Sequence, residues 1–152
     1  MLSALETKVP PPLLLVALAT IAGLLPGSSV SVGQLVFGLP LVVLGLSLNA
    51  LPKVTFRRAG TTVSPLRPER SSALVTSGLY RYSRNPMYLG YTIALIGWVV
   101  CLGQPLGLVV VGLFLGCLTR FQIAPEERQL AAMFPDEYAV YSSAVRRWYG
   151  RQ

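Results

Sequence analysis

Two polar cassettes flank a pair of apolar stretches, and they hold most of the side chains that could do chemistry. The first cassette runs from Gly78 to Gly90 and contains Arg84-Asn85-Pro86-Met87-Tyr88. The second runs from Glu126 to Trp148 and begins with Glu126-Glu127-Arg128. About two membrane crossings of nearly uncharged residues lie between them. A short hairpin returns the chain to its starting face, so the pattern predicts one site at a membrane surface.

The run that starts at Arg84 is expected to form the mouth of the third apolar helix. Proline disfavours helical backbone at the preceding residue, so Asn85 should be non-helical and Pro86 should begin the helix. The N-terminal amides of a helix favour anions, and an arginine fork can bind a carboxylate through two hydrogen bonds. For Arg81 alone, a positive-inside anchor is the preferred interpretation. A proline and an amide serve no anchoring purpose, which favours a site.

Acidic and basic side chains near residue 123 offer further candidates. Glu126 and Glu127 are adjacent and project about 100° apart on a helix, so they cannot together form a paired-carboxylate acid–base site. One of them could accept hydrogen bonds from hydroxyl or ammonium groups of a ligand, and helix capping is the alternative. Arg120 either reaches the membrane interface or holds an anionic group.

Aromatic residues concentrate at the same predicted face, namely Tyr80, Tyr82, Tyr88, Tyr138, Tyr141 and Trp148. An interfacial aromatic belt explains most of them. A bound cation near these rings would also be stabilised, by about 0.5–2 kcal/mol for each ring.

The composition is that of a membrane protein. Of 152 residues, 53% are hydrophobic and 12% are charged, whereas soluble domains carry roughly 25% charged residues. The length predicts a single domain over residues 1–152. The net charge of +7 concentrates in one loop, which the positive-inside rule explains better than nucleic-acid binding does. No histidine and only two cysteines argue against a metal site.

Four apolar stretches predict four membrane-spanning helices, at about 9–25, 32–51, 88–102 and 106–123. The connections 26–31 and 103–105 carry no charge, whereas the loop 52–87 and the tail are basic. Both termini and both cassettes are therefore expected on the cytoplasmic side of the cell's inner membrane. A signal peptide is the weaker interpretation of the first stretch, because Glu6 and Lys8 leave its leading segment without net positive charge.

Loop length and small residues predict the helix neighbours. The short 103–105 connection makes the third and fourth helices antiparallel neighbours. The glycines that would let them approach are Gly90 and Gly97 on one and Gly107, Gly112 and Gly116 on the other. The alternative is that these glycines are only part of a generally apolar composition. Pro125 predicts a new helix start, and Pro135 predicts an interruption or restart. Two short amphipathic helices are thus expected at the cytosolic face.

The motifs resemble those of the isoprenylcysteine carboxyl methyltransferase family and the related phospholipid N-methyltransferases. The resemblance covers about residues 52–148 and includes Leu74 to Tyr80, Arg84 to Tyr88, the glutamate pair and Phe134-x-x-Glu137-Tyr138-x-x-Tyr141. It implies an all-α polytopic membrane fold whose part at about 60–150 binds S-adenosylmethionine.

The resemblance also implies roles for individual residues. Cofactor binding is expected of Leu74, Val75, Tyr80, Asn85, Pro86, Met87, Tyr88 and Glu126. Arg84 and Glu127 are expected in catalysis, and Arg120 and Tyr141 in binding the acceptor. Eukaryotic members carry histidine in place of Asn85 and an arginine where Gln122 aligns.

The implied function is methylation of a small lipophilic or membrane-embedded acceptor, such as an isoprenylcysteine-type carboxylate or a thiol. Histidine is dispensable for this chemistry, because a carboxylate or thiolate loses no proton when it attacks a sulfonium methyl group. Alignment of two reactants alone can supply roughly 7–11 kcal/mol. A phospholipid amine N-methyltransferase is the alternative enzyme. A non-catalytic membrane scaffold or small-molecule binder is the alternative of another class.

Overall fold

The structure is a computed structural model that describes residues 9–58 and 74–151, with side chains described at 9–52 and 74–151. Residues 59–73, which include Arg67, Arg70 and the beginning of the expected cofactor-binding part, lie outside the described residues. The described chain is helical apart from turns and one isolated antiparallel bridge between Val145 and Arg151. The predicted all-α class is confirmed for this part of the chain.

The helices follow one another along the described chain: α1 (Pro11–Leu24), α2 (Val32–Arg58), α3 (Pro86–Leu102), α4 (Gly107–Leu118), α5 (Ala124–Met133) and α6 (Pro135–Ala144). A 3₁₀ turn (Gly78–Arg81) precedes α3, and a π-helical turn (Thr119–Ile123) joins α4 to α5.

Within the described residues, two helical segments are long and apolar enough to cross a membrane, Val32–Pro52 and Gly107–Met133. The helices α1 and α3 are shorter and apolar. The helix α2 runs on to Arg58, past its predicted end at residue 51, and it contains Pro40 and Pro52. Prolines are tolerated inside apolar helices where the freed backbone groups find other partners.

Among the described helices, the most extensive contact joins α2 to α3 through glycines. A Cβ atom added to Gly45 would lie 2.4 Å from the backbone nitrogen of Ala94, and one added to Gly90 would lie 2.6 Å from that of Asn49. These distances are too short for any side chain, so the two backbones touch only because glycine is present.

The prediction that the α3 glycines face α4 is therefore wrong. Gly97 packs on α2 at Gly38, as Gly90 packs at Gly45, whereas Gly112 and Gly116 of α4 have open space around them. Only Gly107 meets α3, at Val99. A stripe of small residues shows that a close approach is possible but does not name the partner helix.

The prediction that Pro125 starts a new helix is confirmed in part, because α5 begins at Ala124 with Pro125 in its first turn but continues directly from the preceding π turn. The backbone N–H of Ala124 donates to the carbonyl of Thr119, five residues earlier, and the chain stays helical into α5. The wider π turn accommodates Pro125, whose missing N–H and ring would disrupt a regular α-helix. Phe134 does leave the helical region, at φ −132° and ψ 61°, and α6 restarts at Pro135 as expected.

The buried core holds the α3–α4 hairpin together. Leu95 of α3 packs with Phe114 and Leu118 of α4 and with Ile123 of the π turn, all almost fully buried. The helix α1 packs against this core and is tied to α3 by a hydrogen bond from Trp98 Nε1 to the carbonyl of Ala19 (3.0 Å). The beginning of α3 and the α4–α5 junction consequently lie at the same end of the molecule.

Candidate functional site

The segment before α3 adopts the geometry that the sequence predicts. Asn85 is non-helical, at φ −132° and ψ 54°, and α3 begins at Pro86. The hydroxyl of Ser83 accepts the backbone N–H of Asn85 at 3.0 Å. The side-chain amide of Asn85 donates to the carbonyl of Arg147 at 3.1 Å, so a distant part of the chain fixes its orientation.

Residues 145–151, here called the C-terminal strap, run alongside this segment. The backbone N–H of Arg84 donates to the carbonyl of Arg146 (3.1 Å), and that of Gly150 donates to the carbonyl of Tyr82 (2.8 Å). Gly150 has φ +111°, a conformation that residues with side chains rarely adopt. The strap therefore holds the backbone on either side of Ser83.

Tyr88 links the first cassette to the second. Its hydroxyl donates to Oε1 of Glu126 at 2.5 Å, and its side chain is 5% exposed. In the first turn of α3, the carbonyl of Met87 accepts a hydrogen bond from the side-chain amide of Asn49 at 3.1 Å. This contact fixes the start of α3 against α2, so that Tyr88 reaches α5.

Glu127 joins two arginines from opposite sides of the sequence. Arg147 donates Nε and Nη2 to its carboxylate at 2.6–3.2 Å. Arg84 Nη1 lies 3.4 Å from Oε1 of Glu127 and donates to the hydroxyl of Tyr138 at 3.2 Å. The hydrogen bonds to Glu127 raise the pKa of Arg147, which stays cationic. The adjacent glutamates thus serve different partners, as their divergence on a helix requires.

A pack of tyrosines lies beside these charges. Tyr141 donates its hydroxyl to the carbonyl of Tyr80 at 2.8 Å and meets Tyr138 edge to face, with ring centroids 6.4 Å apart. Burial raises the pKa of all three phenols. The proximity of Tyr141 raises the pKa of Tyr80 further, whereas the Arg84 guanidinium partly offsets the rise in the pKa of Tyr138 and Tyr141. The three side chains are neutral at pH 7 and act as hydrogen-bond donors or ring faces.

A groove of about 610 Å³ opens beside the tyrosine pack, between Leu74 and α6. Leu74 and Tyr141 line it, together with the charged residues Arg81, Asp136, Glu137 and Arg151. The groove presents charges of both signs next to apolar surface.

The expected site residues occupy three places. Arg84, Tyr88, Glu126 and Glu127 meet at the junction of α3 and α5, and Asn85, Pro86 and Met87 turn the chain into α3. Leu74, Tyr80 and Tyr141 belong to the tyrosine pack, and Val75 is buried next in sequence. Arg120 lies exposed in the π turn, with its guanidinium 5.6 Å from the ring centroid of Phe121.

Sequence reasoning assigned no role to three residues that build the site. Arg147 binds Glu127, Ser83 caps Asn85, and Asn49 anchors Met87. The spacing of Arg147 from the glutamate pair carries no periodic signal. Gln122 was considered only through its alignment; it is 2% exposed, donates to the carbonyl of Val9 at 2.7 Å and keeps a buried Oε1 without a partner among the described residues.

Comparison with known proteins agrees with the motifs. A probable protein-S-isoprenylcysteine O-methyltransferase of Oryza sativa subsp. japonica is 35% identical over 71% of this chain and 56% of its own length. The protein-S-isoprenylcysteine O-methyltransferase of Saccharomyces cerevisiae is 33% identical over 72% of this chain and 46% of its own length. An uncharacterized protein of Haemophilus influenzae is 42% identical over 41% of this chain and 98% of its own length.

The chain spans about half the length of the isoprenylcysteine O-methyltransferases that it matches. No solved structure matches it. A family model described as phospholipid methyltransferase matches residues 33–137, which run from α2 through the glutamate pair into α6. The predicted family is thereby confirmed, and the chain belongs to the phospholipid methyltransferase family.

Proposed function

We propose that the protein is a membrane methyltransferase that uses S-adenosylmethionine to methylate a small lipophilic or membrane-embedded acceptor. The observation that carries the proposal is the meeting of Arg84, Tyr88, Glu126 and Glu127 at one end of the α3–α4 hairpin. Membership of a methyltransferase family and relatives named as O-methyltransferases support it.

We place all four apolar segments across the membrane, with both termini and the site on the cytoplasmic side of the inner membrane. Large apolar side chains are exposed on all four of these helices, for example Leu13 of α1, Phe37 of α2, Trp98 of α3 and Leu108 of α4. Apolar surface of this extent requires a cover, and lipid supplies one. The uncharged connections and the basic loop 52–87 support this orientation.

The donors and acceptors of the cluster fit the cofactor. The Glu126 carboxylate can accept hydrogen bonds from ribose hydroxyls or an ammonium group, and Arg84 can bind a carboxylate. Arg84 Nε is buried and has no hydrogen-bond partner among the described residues. A buried unpaired donor is costly, so an anionic ligand group would stabilise it. When bound, the cofactor supplies a methyl group on a positively charged sulfur.

The protein's part in the reaction is alignment. Arg84, held at Nη1 by Tyr138 and at its backbone by Arg146, would orient a carboxylate of the cofactor or the acceptor. Neutral tyrosine rings would face the sulfonium. Tyr141 would serve the acceptor through its ring, because its hydroxyl is engaged with the carbonyl of Tyr80. No general base is required for a carboxylate or thiolate acceptor.

A phospholipid amine is the second candidate acceptor. The description of the matching family favours it, and so does the groove, where Asp136 and Glu137 could bind an ammonium group near Arg81 and Arg151. A scaffold or binder without catalytic activity remains the alternative of another class.

Calorimetric titration of the detergent-solubilised protein with S-adenosylhomocysteine tests cofactor use. Saturable binding is expected, and its absence would mean that the chain is a scaffold. Transfer of a radioactive methyl group from S-adenosylmethionine to thiols, carboxylates and phosphatidylethanolamine then identifies the acceptor class. Labelling of phosphatidylethanolamine alone would replace the first candidate by the second.

A further inference from the structure

We infer that Arg147 is a positioning residue, which neutralises Glu127 and so reserves Arg84 for an anionic group of a bound ligand. The inference rests on the proposed function and assigns a role in that site to the C-terminal strap.

The carboxylate of Glu127 interacts more strongly with Arg147 than with Arg84. Arg147 takes both carboxylate oxygens, with its shortest hydrogen bond at 2.6 Å. Arg84 approaches only one oxygen, at 3.4 Å. A forked arginine–carboxylate pair is the stronger geometry, so Arg147 satisfies most of the acceptor capacity of Glu127.

Arg84 consequently keeps binding capacity of its own. Its side chain is 17% exposed, its Nη1 donates to an uncharged phenol, and its Nε has no partner among the described residues. A largely buried guanidinium with an unused donor suits a carboxylate or a phosphate.

Both the backbone carbonyl and the guanidinium of Arg147 make contacts in the site. Its carbonyl accepts the side chain of Asn85 at 3.1 Å and lies 3.5 Å from the hydroxyl of Ser83, while its guanidinium holds Glu127. Removal of the guanidinium alone leaves the carbonyl contacts in place. Glu127 would then be free to pair with Arg84, and that internal ion pair would compete with the ligand.

The experiment measures dissociation constants in one detergent for two ligands. S-Adenosylhomocysteine has a carboxylate, whereas 5′-methylthioadenosine lacks the whole amino-acid group. The variants are Arg147→Gln, Arg147→Lys and the double variant Arg147→Gln/Glu127→Gln. Arg146→Gln is the charge-matched control, since the side chain of Arg146 is exposed. Thermal unfolding verifies that all variants are folded.

Arg147→Gln is expected to weaken S-adenosylhomocysteine binding by roughly 10-fold, the size of one charge-assisted hydrogen bond. Methylthioadenosine should be affected much less. Arg147→Lys should fall between the parent and Arg147→Gln, because a lysine keeps the charge but loses the forked geometry. The double variant should regain most of the affinity. Parent protein that binds neither ligand contradicts the proposed function itself. Equal losses for both ligands, without recovery in the double variant, contradict the inference alone, because they indicate a purely structural strap.

The anion could instead belong to the acceptor, and a second titration with N-acetyl-S-farnesylcysteine, a lipophilic carboxylate, distinguishes the two sources. Loss and recovery confined to this probe assign Arg84 to the acceptor. If neither carboxylate ligand distinguishes Arg147→Gln from Arg146→Gln, the inference is wrong.

Discussion

The hydroxyl of Tyr88 donates a 2.5 Å hydrogen bond to the carboxylate of Glu126, although 38 residues separate the two in sequence. The antiparallel α3–α4 hairpin brings the start of α3 beside the beginning of α5. The π turn joins α4 to α5 without a break and so places Glu126 level with the hydroxyl of Tyr88. One hairpin therefore converts two separate motifs into one cluster.

The first prediction concerns this pair. Glu126→Ala removes an acceptor for a hydroxyl or ammonium group of the cofactor. Loss of a charge-assisted hydrogen bond costs about 1.5–3 kcal/mol, so the dissociation constant for S-adenosylhomocysteine should rise roughly 10- to 150-fold by calorimetry. Gln129→Ala, an exposed change on the same helix, is the control. Parental binding by both Glu126→Ala and Tyr88→Ala would show that the cofactor lies elsewhere.

The second prediction concerns Arg84. A lysine ammonium cannot replace the planar guanidinium fork, so Arg84→Lys should lower the methyl-transfer rate strongly while the protein stays folded. The double change of Arg57 and Arg58 to lysine, at the end of α2, preserves charge in the same way and should be nearly silent. Rates are compared in one detergent at matched thermal stability. Equal activities would reduce Arg84 to an interfacial anchor.

The third prediction concerns the α2–α3 contact. Gly45→Ala introduces a Cβ atom at 2.4 Å from the backbone nitrogen of Ala94. The clash is with main-chain atoms, which cannot move aside as the end of a flexible side chain could. Overpacking of this kind costs about 1–3 kcal/mol, so the thermal midpoint in detergent should fall. Gly112→Ala meets nothing within 4 Å, and alanine's higher helix propensity should leave the midpoint equal or slightly raised. A similar fall in both variants would contradict the glycine contact.

The fourth prediction concerns topology. Single cysteines are placed at Ser29, in the exposed α1–α2 connection, and at Ser64, which lies outside the described residues, after replacement of Cys101 and Cys117. In intact cells an impermeant maleimide should label Ser29→Cys, whereas Ser64→Cys should react only after the membrane is opened. Labelling of Ser64→Cys from outside would invert the proposed orientation.

The sequence by itself determined the local features of the protein. The lengths of the apolar stretches located all four apolar helices, because burial from water depends on composition within one segment. Pro86 and Pro135 marked helix starts correctly, because proline restricts its own backbone and that of its neighbour. The cassettes indicated the family, which the match over residues 33–137 confirms.

Only the tertiary structure decided which partners meet. The glycines of α3 pack on α2 rather than on α4, because helix neighbours are selected by the shapes of two surfaces, and the sequence pattern of α3 describes only one of them. Pro125 lies in the first turn of α5, and a π turn joins α5 to α4 without a break because Ile123 of that turn is buried in the core. Of the arginines in the sequence, Arg147 forms the forked pair with Glu127 because the strap brings its guanidinium within 2.6 Å of the carboxylate. The sequence could not predict this pairing, since a displacement of about one ångström is enough to break a hydrogen bond.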